Sequence, residues 1–360
     1  MKPENRNYYP NLDIIRFLAA FWVMLAHYGH IGPYMGLTGY GPSQGIAALF
    51  FQYGYLGVPI FFILSGFVIA HVSTDIHPLR FMSNRILRLM PAFWICMTVS
   101  FLLIALLDGT NILNLKLWFA NLLLLPQTLG HPFVDGVYWT LVLEFVFYGW
   151  VFILLLSDVF HKHLLKICSI WLGISFANIM LLENRIIELV FITYYAGAFV
   201  CGLVMWHAKQ NRWTAPHALL MVISGVSLSL GIKHLGIQAQ LPNFSNQPDL
   251  LVSTICAILS IGAVAIGIFG KIIPIKHSFA VMLGAISYPL YLIHQEVGYI
   301  VLQKLAELRL NPIQAVTLVI LLVITLSYIV HQACEKPIRR FLKSEMAYFV
   351  MSRFPRLNQS

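Results

Sequence analysis

The sequence predicts an all-α, polytopic membrane protein of about ten transmembrane helices, with both termini in the cytoplasm. Three observations lead there. Only 10% of the 360 residues are charged and 59% are hydrophobic, whereas a soluble domain carries about 25% charged residues. The hydrophobic residues form long blocks, and a helix crosses a ~30 Å bilayer core with about 20 of them. They do not alternate in the ten-residue segments of a membrane β-barrel. The basic residues gather between the blocks on every second connection, the bias of multi-pass proteins. A water-soluble fold, a disordered chain and a small disulfide scaffold are thereby excluded.

Ten spans follow in order: 12–29, 47–71, 90–107, 137–157, 165–182, 187–206, 216–235, 250–270, 280–302 and 312–334. Lys2 and Arg6 precede the first, but no small-x-small cleavage site follows it, so a retained helix is expected rather than a signal peptide. A further run, 115–126, is too short to cross and stops at Pro126; it is expected to be re-entrant or interfacial. With a cytoplasmic N-terminus and alternating spans, seventeen of the 23 Lys and Arg fall on the cytoplasmic side and five outside, with Arg16 inside the first span. A crossing at 115–126 would invert every later connection and reverse that bias. The expected organisation is a membrane domain over 1–340 and a basic cytoplasmic tail over 341–360, with no soluble domain and no internal repeat.

The basic residues behind the net charge of +9 sit singly or in short groups between apolar blocks, so no basic patch marks a nucleic-acid partner. The five cysteines, Cys96, Cys168, Cys201, Cys256 and Cys334, have no paired spacing and read as core residues, neither a disulfide framework nor a metal site.

Charged groups within spans cost roughly 2.5–3.5 kcal/mol each on insertion scales and mark candidate sites. The first span holds Asp13, Arg16 and His27. Asp13 and Arg16 are helical neighbours and can pair. Arg16 and His27, eleven residues apart, return to within about 20° of one face with ~16 Å between them. Interfacial anchoring and helix capping are the alternatives for these three. Glu144 lies about 10 Å into the fourth span, where a buried hydrogen-bonded carboxylate is the structural alternative. The ninth span carries Tyr288, His294 and Glu296, and a core histidine satisfied by a polar neighbour is equally compatible with His294. Arg85 and Arg88 share a helix face and can fork onto phosphate oxygens, or simply follow the positive-inside bias. Ser65 and Gly66 permit close helix approach; a nucleophilic Ser65 would need a base beside it.

Taken together, these segments resemble the acyltransferase-3 family of integral membrane acyltransferases, from about Asn11 to Arg340. The Leu12–Arg16 segment with His27 resembles its opening helix, and Gly57 to Phe67 its second-helix motif. Arg85 to Trp94 resembles the basic start of its third helix. Trp139 to Tyr148 resembles its Trp-Ser-Leu-x-x-Glu segment, Ile286 to His294 its late-helix signature, and Glu335-Lys336-Pro337 its closing motif. Pro59 stands where an acidic residue is common, and Phe145 replaces a frequent second glutamate after Glu144.

The resemblance implies transfer of an acyl group, most often acetyl, from acyl-coenzyme A to a hydroxyl of a cell-envelope sugar. It implies a bacterial inner membrane and a lipid bilayer around the chain. Coenzyme A is then a substrate and no cofactor is permanently bound. Under it, His27, Glu144, Arg16 and Asp13 are the catalytic candidates, and Arg85 and Arg88 bind the donor. Ser65, Trp139, Tyr288 and His294 line the cavity, and the outer aromatics Tyr34, Tyr40, Tyr53 and Tyr55 are candidate sugar platforms. The acceptor stays open among lipopolysaccharide O-antigen, other polysaccharides and small secreted molecules, and the acyl group between acetyl and succinyl. A secondary transporter or flippase of a glycan or lipid precursor is the reading from another class; the lack of repeated halves counts against it.

Overall fold

A computed structural model describes residues 8–36, 38, 45–107, 114–238, 249–338 and 340–342. Nearly all of the tail at 341–360, together with Tyr40, lies outside the described residues, as does the Tyr34 side chain. The described residues form helices and no strand. The principal ones are α1 (Pro10–Ala26), α2 (Gly57–Val72), α3 (Pro78–Leu107), α4 (Leu115–Leu122), α5 (Trp139–Leu156) and α6 (Leu164–Ala177). They continue with α7 (Ala196–Asn211), α8 (Ala215–Gln238), α9 (Leu250–Phe269), α10 (His277–Glu307) and α11 (Pro312–Ile329).

Nine described stretches are long and apolar enough to cross a membrane, and they match nine of the ten predicted spans. The tenth, 280–302, falls in α10. That helix has 31 residues, ample for a crossing at ~1.5 Å each, but Ser287, Tyr288, His294, Gln295 and Glu296 dilute its apolar character. The short run at 115–126 becomes α4, whose eight residues reach only ~12 Å, as its length predicted. Asn114 caps α4 by accepting from the Leu117 N–H at 3.1 Å.

The chain divides into two compact units. The first draws on the segment up to Phe81 and on Trp139–Ser287, the second on Met82–Tyr138 and the chain from Tyr288 onward. In the first unit α2 packs on α7, α7 on α8, α8 on α9, and α1 against α2 and α9. Helices in lipid gain no hydrophobic drive from one another, so small residues let their backbones approach. A methyl group on Gly66 would stand 2.1 Å from the Phe199 carbonyl oxygen, and one on Gly202 would stand 2.0 Å from that of Ile63. The α2–α7 crossing is therefore glycine against backbone. Asn11, absent from the sequence-based candidates, fastens the start of α1. Its Nδ2 donates to the Lys271 carbonyl and its Oδ1 accepts from the Ile273 N–H, both at 3.0 Å.

In the second unit Asn121 organises the segment after α4. It donates to the carbonyls of Leu117 and Pro132 and accepts from the Val134 N–H. Phe93 of α3 packs edge-on against Tyr138, with ring centroids 5.2 Å apart. Four of the five cysteines are buried and all carry free thiols, as core residues should.

Candidate functional site

Asp13 and Arg16 occupy the first two turns of α1. Asp13 Oδ1 lies 3.5 Å from Arg16 Nη1, and Tyr8 donates its hydroxyl to Asp13 Oδ2 at 2.6 Å. Burial, followed by the neighbouring Asp13 carboxylate, holds the Tyr8 hydroxyl protonated well above the ordinary phenol range. Gly284 closes over the carboxylate, since a methyl group there would fall 2.2 Å from Asp13 Oδ1. Fourteen residues separate Asp13 from His27, about 21 Å along a helix, so Asp13 serves the Arg16 end of the stripe.

His27 is the first residue of a π-helical turn, His27–Ile31. The Gly32 N–H donates to the His27 carbonyl, five residues back. Pro33 has no N–H to offer Gly29 in the next α-helical bond, which favours the wider turn here. Gly29 gives Phe51 its place: a methyl group at Gly29 would come within 2.7 Å of the Phe51 ring. Such π turns recur at functional sites. Because α1 is regular through Ala26, the angular relation of Arg16 to His27 is the one the sequence gives.

The structure brings Ser65 and Glu144 together. Ser65 of α2, which is buried, donates its hydroxyl to Glu144 Oε1 of α5 at 3.2 Å. Tyr148, one turn further along α5, donates to the same oxygen in a short hydrogen bond. Both of these hydrogen bonds fall on Oε1. The group that the structure sets beside the Ser65 hydroxyl is thus a carboxylate. Trp139, at the start of the same helix, packs its ring 5.4 Å from that of Tyr195.

The second unit holds the other candidates. Arg88 Nη1 donates to Glu335 Oε1 at 3.0 Å, and Glu335 Oε2 accepts from His331 Nδ1 at 2.8 Å. Glu335 is fully buried and ends another π turn, Val330–Glu335. Arg88 is therefore committed to a buried carboxylate that the sequence offered only as part of a motif. Arg85, on the same helix face, is partly buried. Tyr288 donates to the Leu89 carbonyl at 3.2 Å.

His294 is fully buried. Its Nδ1 lies 2.9 Å from the Tyr291 carbonyl oxygen and 3.2 Å from that of Leu290. Carbonyl oxygens only accept, so Nδ1 carries a proton. One residue on, the Gln295 amide donates to Glu296 Oε1. Sequence reasoning also passed over Asp135, which reads as a turn residue before Gly136. Its carboxyl is buried and accepts from the backbone N–H groups of Val137 and Glu296, both at 3.1 Å. Burial, and then the charge of Glu296, pushes Asp135 up to about 8. No group of three or more His, Cys, Asp or Glu placed to hold a metal occurs among the described residues.

With these positions in hand, comparison with known families decides the identity. A family model described as "Acyltransferase domain", of the acyltransferase-3 type, matches residues 9–332. The chain belongs to the acyltransferase-3 family. This acyltransferase is therefore a multi-pass membrane enzyme, and its intramembrane polar groups sit within an acyl-transferring domain. Comparison with curated proteins and with solved structures returns no match to it.

Proposed function

We propose that this acyltransferase moves an acetyl group from acetyl-coenzyme A to a hydroxyl of a cell-surface glycan, in a bacterial inner membrane. The observation that carries the reading is a histidine on a π turn of the first helix, on one stripe with Arg16, in a chain of this family. Coenzyme A is a polyanion of the cytoplasm, where the basic connections are expected to lie. Arg85 meets its phosphates, with Arg88 held at the same helix face by Glu335. The pantetheine arm passes Arg16 and brings the thioester toward His27.

His27 takes the proton of the acceptor hydroxyl, and the oxygen attacks the thioester carbonyl. The tetrahedral intermediate expels the sulfur of coenzyme A, which takes the proton back from His27 and leaves as thiol. An imidazole suits both transfers, since its ordinary pKa is near 6.5. Glu144 Oε2 steadies the imidazolium or a sugar hydroxyl, while Ser65 and Tyr148 hold the carboxylate from its other oxygen. Trp139 lines the path, with Tyr53 and Tyr55 as sugar platforms.

Membranes carrying the enzyme, supplied with radiolabelled acetyl-coenzyme A, are expected to label a glycan. His27→Ala should insert and fold normally and lose the label. Full activity in purified His27→Ala would overturn the role of the imidazole. Movement of glycan across vesicles with no acylated product would overturn the enzyme reading in favour of transport.

A further inference from the structure

Away from all these residues, α6 and α8 enclose a groove of about 510 Å³. Lys166, Ser169, Gly173 and Phe176 of α6 and Leu219 and Ile223 of α8 line it, each set at the spacing of one helix face. A single span, α7, separates the two helices in the chain, so they run in the same direction and begin at the same end. Lys166 is exposed at that end, and no acidic residue lines the groove. Arg212 and an exposed Trp213 immediately precede α8, and an aromatic beside a cation is the usual composition of a headgroup layer. From Lys166 to Phe176 the wall runs about 15 Å, half of a ~30 Å hydrocarbon core and so one leaflet deep.

Gly173 keeps the middle of the groove open. A glycine inside a helix is less stable than an alanine. At Gly66 and Gly202 a neighbouring backbone requires it, but a methyl group on Gly173 would meet nothing within 4 Å. Protein packing makes no demand for a glycine there, and its lack of a side chain leaves the groove wall open at this point. We propose that the groove binds one anionic phospholipid, with an acyl chain along Gly173 and the phosphate at the Lys166 end. The charge of the mouth selects the headgroup and the apolar wall takes the chain. This site is independent of the acyl-transfer reading.

The test uses the full chain in phosphatidylcholine nanodiscs titrated with phosphatidylglycerol, read by native mass spectrometry and thermal unfolding. The wild type should retain one phosphatidylglycerol and unfold at a higher temperature with it. Lys166→Glu, at an exposed position, should weaken the preference for phosphatidylglycerol about tenfold. Gly173→Leu should fill the groove and abolish retention. Gly262→Leu, where a side chain also meets open space, should change nothing. Retention of phosphatidylglycerol by Lys166→Glu at the wild-type level would overturn the proposal. So would an equal rise in unfolding temperature with inorganic phosphate alone, which would assign the charge to a free anion.

Discussion

Ser65 and Tyr148 both reach Glu144 Oε1. If the carboxylate steadies the reacting groups, loosening that grip should slow the chemistry and spare donor binding. A hydrogen bond to a charged group contributes roughly 1.5–3 kcal/mol. Ser65→Ala is therefore expected to lower kcat by about tenfold or more with KM for acetyl-coenzyme A unchanged. Tyr148→Phe should act in the same direction, and the pair should be non-additive because both act on one oxygen. Gly284→Ala tests the other end of the stripe. Its methyl group has no room beside Asp13, so the Asp13–Arg16 pair must shift. The expected result is a higher KM for the donor and a smaller change in kcat. Asp13, Arg16 and His27 were legible as candidates because a charge in an apolar block stands out. Their settings were not. Gly284 lies 271 residues beyond Asp13 in the chain, and nothing in either segment announces the other.

Among the helices, the α2–α7 crossing carries a sharp expectation. With carbonyl oxygens at 2.0–2.1 Å from a built methyl, Gly202→Ala should force the helices apart and cost about 1–3 kcal/mol, as overpacking does, seen as a lower unfolding temperature in detergent. The existence of these helices could be read from the length of the apolar blocks. Their partners could not, because in lipid every face is apolar and periodicity no longer says which side is buried. The pairing of Arg88 with Glu335 is the clearest case, at a separation of 247 residues. Removing one member of a buried pair leaves the other unpaired, at a cost near 3–5 kcal/mol. Arg88→Ala should therefore lower the unfolding temperature, and adding Glu335→Gln should restore part of it. The segment carrying Asp135 gives a pH signature. Its folded pKa, about 8, lies above the unfolded carboxyl value near 3.9. The folded state then binds the extra proton, and stability falls as pH rises from about 4 to about 8. Asp135→Asn should flatten that decline in thermal scans.

On the scale of the whole molecule, composition alone set the class, since 10% charged residues admit few architectures outside a membrane. The count was less secure at α10, whose polar residues lower its apolar character although its length suffices. The sidedness rests on the distribution of Lys and Arg. Reporter fusions should therefore place a domain attached after residue 342 in the cytoplasm and one inserted near Gly130 outside. The opposite result would invert the direction from which the donor arrives.

The turn at His27 has one more implication. A π turn is an α-helix with one surplus residue, so it can be undone by shortening. Removing a single position between Tyr28 and Ile31 would return that stretch to ordinary α phase and leave Arg16 and everything before it untouched. Such a deletion separates two properties that substitution confounds, the chemistry of the imidazole and the width of the backbone that presents it. If the enzyme depends on the second, a protein that keeps every functional side chain will still be silent.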